Sequence, residues 1–379
     1  MTGLLSFIQA ACASDHKNYD VVHLDSVTIR WAVHVGLGPF VSHTCRRLLV
    51  NIDGPKSEDM LRSADLVAKV GMSDALDSLE ELLAASADLA SEIILLKGIS
   101  TCQYLYSEPY LRTIGDIDLL ISVQRRQQLE TLLVDLGYRQ QSSRPAEFYK
   151  KHHHSMPFVH PTKHIWLEVH TALLSDQSVA LDRVFSSSHI QTQVVPMLFR
   201  GHKTNRLTYE QELVYIATHW GLERKCFAGG VIPLIDMIYL IQKHGHELDW
   251  NHIVVSLEGS QAAVYVNLML SFLQKHGLIF LPATVMKRLT SAQKYLLGLN
   301  EFILHKLIDN YSIRGRHLGR ITTETNLSNV WKTLLRPRAA WRNFLKLPWN
   351  ILFAPENPRR FSPSFQFTRI FRLLRSRKQ

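Results

Sequence analysis

No C-x-x-C pair occurs in the 379 residues, and the four cysteines (Cys12, Cys45, Cys102 and Cys226) lie far apart. That scatter argues against a zinc ribbon or a disulfide framework and suits a reducing cytoplasm. Nor is there an uninterrupted apolar run of the ~18–20 residues that a membrane span requires. The opening stretch, MTGLLSFIQAACASDHKNYD, has no basic segment ahead of its apolar patch. It therefore reads as a first helix with Leu4, Leu5, Phe7 and Ile8 on one side, not as a secretion signal. An excess of basic charge is also missing from most of the chain. The net charge is +10, yet from Lys332 onward twelve Lys/Arg face the single acid Glu356, leaving 31 basic and 32 acidic residues before it. A neutral body of that size makes nucleic acid the less favoured partner.

What the sequence does contain is organised around Ser91 to Val123. An apolar run, Ile93 to Leu96, stops at Lys97-Gly98-Ile99-Ser100, and Gly115-Asp116-Ile117-Asp118 leads into Leu119, Leu120 and Ile121. The first run predicts a short buried strand, Ser100 to Tyr106 a helix opening off the glycine, and Asp116 to Ile121 a second strand. Side chains alternate along a strand, so Asp116 and Asp118 share a face. Two neighbouring carboxylates repel each other unless a cation lies between them. An isolated D-x-D reads equally as a turn with solvated acids. The Gly98 turn upstream tips the balance, because free N–H groups at a helix start bind anions. A phosphate cradle beside paired acids suits a magnesium-bound nucleoside triphosphate.

These motifs resemble the nucleotidyltransferase fold of the DNA polymerase beta superfamily, and most closely a bacterial group of uncharacterised nucleotidyltransferases. The likeness is carried by Leu95-Leu96-Lys97-Gly98-Ile99-Ser100, Arg112, Gly115 to Leu120, and Leu167-Glu168-Val169-His170. It is strongest over roughly 91–174 and continues more loosely to about 277. The resemblance implies Asp116, Asp118 and Glu168 as metal-binding catalytic acids for Mg²⁺ or Mn²⁺. It implies Lys97, Gly98, Ser100, Arg112 and His170 as nucleotide-binding. Ile99 separates Gly98 from Ser100 where many members have adjacent Gly-Ser, so which groups touch phosphate stays open. Glu168 also reads as a plain strand acid, and His170 as a residue orienting Glu168 or as a structural one.

Around this centre, Met1 to about Ala90 is helical in pattern. Apolar residues recur at helical spacing in Val27 to Leu49 and in Ser57 to Ala87, the latter including Leu61, Leu66, Val70, Met72, Leu76, Leu79, Leu82 and Leu83. Gln124 to Leu136 predicts a helix ended by Gly137. Short strands are expected at 138–140 and 147–150, then a hairpin of 156–160 with 164–170. In the second arm Trp166, Glu168 and His170 share a face. His152-His153-His154 reads as a loop or strand edge, since three adjacent histidines on a strand cannot face one ion. Residues 201–205 read as a turn, and Thr208 with Gln211 as a capping box. Helices follow at 232–244, 250–257, 262–276, 282–289 and 293–308. His219 and Asp236 loosely match a histidine and an aspartate of the resembled group, as a structural pair or as nucleotide ligands.

The expected fold class is α+β: a small mixed sheet with helical regions before and after. Its segments are a helical region (1–90), a catalytic core (91–200), a helical domain (201–310) and a basic, aromatic-rich tail (311–379). The expected activity is transfer of a nucleoside monophosphate from an NTP, ATP first, to a hydroxyl or phosphate acceptor. The resemblance links that acceptor to surface polysaccharide. Two alternatives stand beside it: a non-catalytic binding or assembly protein, and a toxin-like enzyme acting on tRNA or protein. In the tail, Phe367, Ile370, Phe371 and Leu374 oppose Arg369, Arg372 and Arg375. Such a segment suits an anionic membrane surface or an acidic partner, or else only solubilises the chain. A cytoplasmic protein, peripheral to the membrane's inner face, would fit.

Overall fold

In the computed structural model the described residues are 2–12, 24–48, 50–142, 145–149, 152–163, 165–174, 190, 192–223, 231–258, 260 and 262–291. The expected helix at 293–308, the tail and Cys226 lie outside them. The fold is α+β, built on a seven-stranded mixed sheet in the order β3-β4-β5-β2-β1-β7-β6. The strands are β1 (Ile94–Leu96), β2 (Asp116–Leu120), β3 (Arg139–Gln140), β4 (Phe158–Val159), β5 (Trp166–His170), β6 (Val195–Phe199) and β7 (His202–Arg206). β2 runs antiparallel to β1 and parallel to β5.

Two sequence expectations fail here. Of residues 201–205, only Gly201 is turn, and 202–205 are most of β7. The turn is the pair Arg200-Gly201, at φ 46° and 89°, which closes a tight hairpin with β6. The strand HKTNR is polar, so periodicity hides it. Its buried members are satisfied: the Thr204 hydroxyl donates to the Ile93 carbonyl at 2.9 Å, and the Asn205 amide to the Ser91 carbonyl at 2.7 Å. Of the strand expected at 147–150, the described residues 147–149 belong instead to a helical turn, Ala146–Tyr149.

Helices cover both faces of the sheet. They are α1 (Thr2–Cys12), α2 (Ser26–His34), α3 (Gly38–Leu48), α4 (Pro55–Ala85), α5 (Ala87–Ala90), α6 (Lys97–Tyr104), α7 (Val123–Asp135), α8 (Ala146–Tyr149), α9 (Tyr209–Thr218), α10 (Ile232–His244), α11 (Trp250–Leu257), α12 (Ala262–Lys275) and α13 (Ala283–Ser291). Alternation along the strands divides the apolar residues into two cores. Ile94, Leu96 and Leu120 join a core made by α1 to α3 together with α9 to α13. Leu95, Ile117, Leu119, Leu167 and Val169 join a second one, under α4, α5 and α7. The first and last helices of the described chain therefore share one apolar interior. Each fully buried Leu or Ile there contributes about 1.5–3 kcal/mol.

The pattern expected over Val27 to Leu49 is two helices, because Gly36 takes φ 82° between α2 and α3. The carbonyl of that glycine accepts a 2.8 Å hydrogen bond from the Thr113 hydroxyl. This ties the turn to the loop that precedes β2. Helix α4 is long, but its buried face runs through Leu61, Asp65, Met72, Ala75, Leu79, Leu82 and Leu83. Asp65 is paired with Arg46 and Lys69 at 3.4 and 2.9 Å. With Asp65 in the core phase, Leu66 and Val70 point outward, 59% and 63% exposed, contrary to their place in the sequence pattern.

Candidate active site

The register of β2 and β5 sets Asp116 opposite Trp166, Asp118 opposite Glu168 and Leu120 opposite His170. Parallel neighbours in register project alike, so Asp116, Asp118 and Glu168 line one cleft, while His170, expected to bind nucleotide, is fully buried behind the acids and is not part of the cleft wall. One oxygen each of Asp118 and Glu168 and a ring nitrogen of His170 lie within 4.8 Å of one another. His170 Nε2 is 2.8 Å from Asp118 Oδ1 and 3.5 Å from Glu168 Oε2. The Lys97 ammonium meets the same Asp118 oxygen at 2.7 Å. Lys97 reaches it from the junction of β1 and α6, where its φ is 48°, a left-handed conformation rare outside glycine. Asp116 stands at the open end of β2 and lines the cleft, which has a volume of about 560 Å³.

Electrostatics favour charge in this cluster. Burial opposes ionisation of Asp118, but the Lys97 ammonium and the hydrogen bond from His170 outweigh it and hold the carboxyl well below its ordinary range. Glu168 is likewise lowered: burial is overcome by the His170 hydrogen bond, against the Asp118 charge. For His170, burial and Lys97 favour the neutral ring, while hydrogen bonds to both acids raise its pKa.

Helix α6 opens beside these acids with no side-chain cap on its first N–H groups, and its Lys97, Gly98 and Thr101 line the cleft. Gly98 lines the cleft, although its smallness serves a different contact from the one expected. A Cβ at Gly98 would overlap the Arg112 guanidinium and the Ile114 side chain. Ser100 is fully buried and its side chain is not part of the cleft wall; Thr101 is. Arg112 lines the cleft but is held by Asp236, with Nη2 and Nε at 2.8 and 3.3 Å. Tyr106 donates to the same carboxylate at 2.6 Å. Asp236 and His219, from α10 and from the π-helical turn His219–Glu223 that continues α9, reach the cleft as well.

Glu212, on α9, had no sequence signal beyond a common first-turn acid. It is 0% exposed, lines the cleft, and neither carboxyl oxygen has a hydrogen bond of good geometry among the described residues. Burial first, then the Asp236 charge, push its pKa up to about 8. The histidine run lies at a strand edge, as expected, yet its rings come together. Residues 152–154 form a bend, with only His154 bridged to His170, so the three rings converge and their nitrogens lie within 4.8 Å. His154 Nε2 is 3.7 Å from Glu168, which links this cluster to the acids.

Two carboxylates from adjoining strands, a third acid at the mouth and an uncapped helix start form a donor set suited to a hard divalent cation and a phosphate ester. Hard oxygen donors fit Mg²⁺ or Mn²⁺; in this structure the Lys97 ammonium serves as the cation on Asp118. Residues 25–277 match the family described as uncharacterised nucleotidyltransferase, and the chain belongs to that family. It is thus a transferase of the nucleotidyl type, with an NTP as the implied substrate. No curated protein and no solved structure matches the chain. Among the described residues no helix is long and apolar enough to cross a membrane.

Proposed function

We propose that the chain moves a nucleoside monophosphate from an NTP, ATP first, to a hydroxyl or phosphate acceptor, releasing pyrophosphate. The observation that carries this reading is the in-register pairing of Asp118 with Glu168, with Asp116 at the mouth of the same cleft. A divalent cation held by Asp116, Asp118 and Glu168 supplies charge neutralisation on the leaving pyrophosphate and acidifies the acceptor hydroxyl. The N–H groups at the start of α6, with Thr101 and Lys97, would hold the β- and γ-phosphates. Lys97 leaves Asp118 to do so. The acceptor oxygen bonds to the α-phosphorus as the bond to the bridging oxygen breaks, and its proton passes to Glu168. His170 holds both acids in place, and Arg112, fixed by Asp236, adds positive charge at the cleft wall. The family resemblance extends the acceptor to components of surface-polysaccharide synthesis, and the basic tail to a membrane-surface or acidic-partner contact.

Pyrophosphate release from a panel of NTPs with Mg²⁺ or Mn²⁺ and cell extract tests the reading. Asp116→Asn and Asp118→Asn should each lower that rate by about 10³-fold or more, because charge at the metal is the main source of transition-state stabilisation. Wild-type turnover in either variant removes that acid from the mechanism. A second reading, a nucleotide-binding or assembly protein without turnover, is favoured by one observation: Lys97 and His170 already satisfy Asp118. Under that reading Glu168→Gln is silent and no NTP is consumed.

A further inference from the structure

A second groove, of about 840 Å³, opens on the other side of the loop that leads into β2. Thr113, Ile114, Gly115 and Asp116 line both cavities, so this loop is a shared lip. Gly115 has open space where a Cβ would stand, which leaves the lip low. The start of α6, Lys97 and Arg112 all line the first cleft and not this groove, whose cations are Lys56 and Lys163. Its wall is the outward side of α4, including Met60, Ala64, Val67 and Ala68, faced by Pro39 and Ile165. Val67 is 72% exposed, which is unusual for a branched apolar residue in mid-helix.

Gly71 is the second, independent observation. It sits in the interior of a 31-residue helix, with nothing within 4 Å of an added Cβ. Neither a positive φ nor a close helix contact calls for glycine there. A glycine in such a place lowers helix stability for no gain within the fold, and it deepens the groove. The groove sets Lys56 and Lys163 against Asp59, Asp74 and the shared Asp116, a net charge of −1. An anionic polymer would find no net attraction, and a neutral ligand no penalty.

We infer that this groove is the acceptor subsite, and that its occupant is an amphipathic alcohol: an uncharged hydroxyl head on an apolar body. The inference rests on the nucleotidyl-transfer reading. In-line displacement brings the acceptor to the α-phosphate from the side opposite the departing pyrophosphate. With the phosphates at the start of α6, that side is the Asp116 lip, where the groove meets the cleft. A cavity of this size takes a drug-sized ligand with mostly apolar walls.

The probe is n-octyl β-D-glucoside, kept below its micelle threshold and titrated calorimetrically into the full chain, with glucose in parallel. Saturable binding of the glycoside, at least tenfold tighter than any binding of glucose, is expected. Gly71→Trp fills the groove and Val67→Glu charges it, and each should weaken glycoside binding tenfold or more while the variant still melts cooperatively. No saturable binding, equal binding of glucose, or undiminished binding in both variants overturns the inference. Pyrophosphate release from MgATP separates the two proposals. Cleavage of MgATP by a protein that ignores the glycoside defeats the subsite and leaves the reaction standing. Glycoside binding by a protein that neither binds nor cleaves MgATP defeats the reaction, and the acceptor role with it.

Discussion

Glu212 is a carboxyl group kept out of water with a second acid, Asp236, nearby. Its pKa rises from 4.5 to about 8. The folded chain therefore retains a proton that the unfolded chain has released. Stability from this group is fully present below about pH 4.5 and falls as pH rises toward 8, on the order of a few kcal/mol in all. Glu212→Gln should flatten that slope and make the protein more stable than wild type at pH 8, as read from urea unfolding at pH 5, 6.5 and 8. An unchanged slope would mean that Glu212 ionises normally. Nothing in the sequence marked this residue, since a glutamate in a first helical turn is ordinary. Strand alternation put Asp116 and Asp118 on one face, whereas only the family resemblance joined Glu168 to Asp118. The register that sets them side by side belongs to the sheet and is not written in either segment. Ser100 was misplaced and Thr101 missed for a related reason, as the helix begins at Lys97, three residues before its expected start.

Two helical glycines show how differently the same residue acts within an element. Gly71 of α4 has open space above it, so Gly71→Ala should stabilise the fold by about 0.5–1 kcal/mol through helix propensity and chain entropy. Gly98 of α6 is covered by Arg112 and Ile114, so Gly98→Ala should destabilise by about 1–3 kcal/mol through overpacking. Chemical denaturation of the two variants should give opposite signs. Elements were most legible where pattern and punctuation agree, as in α7 with Gly137 and in α9 with its Thr208–Gln211 box. They were least legible where polar residues do apolar work. The strand β7 is built on Thr204 and Asn205, and the phase of α4 is set by Asp65 in place of Leu66. The His152–His154 run was rightly read as a loop or strand edge, but the gathering of its rings was not foreseen, because a bend, unlike a strand, lets neighbouring rings turn to one side.

For the whole molecule the shared core matters more than the order of segments. The face of the sheet carrying Ile94, Leu96 and Leu120 is closed by helices from both ends of the described chain. Residues 91–200 expressed alone should therefore fail to melt cooperatively and should expose apolar surface, while the chain through 291 melts as one unit. Circular dichroism and dye binding read this directly. A cooperative transition in the short fragment would show that the sheet needs only α6 to α8. This dependence could not be read from the sequence, which separates into helical, mixed and helical stretches without saying which of them meet.

The loop from Arg112 to Asp116 is pinned on one side by the carbonyl of Gly36 and on the other by Asp236. The same residues form a wall of both cavities, so under the proposed acceptor reading a change of nucleotide preference at this loop would also disturb the choice of the second substrate. Variation that adapts this chain to a new acceptor is then expected to accumulate on the outer helix, away from the hinge point the two chambers have in common.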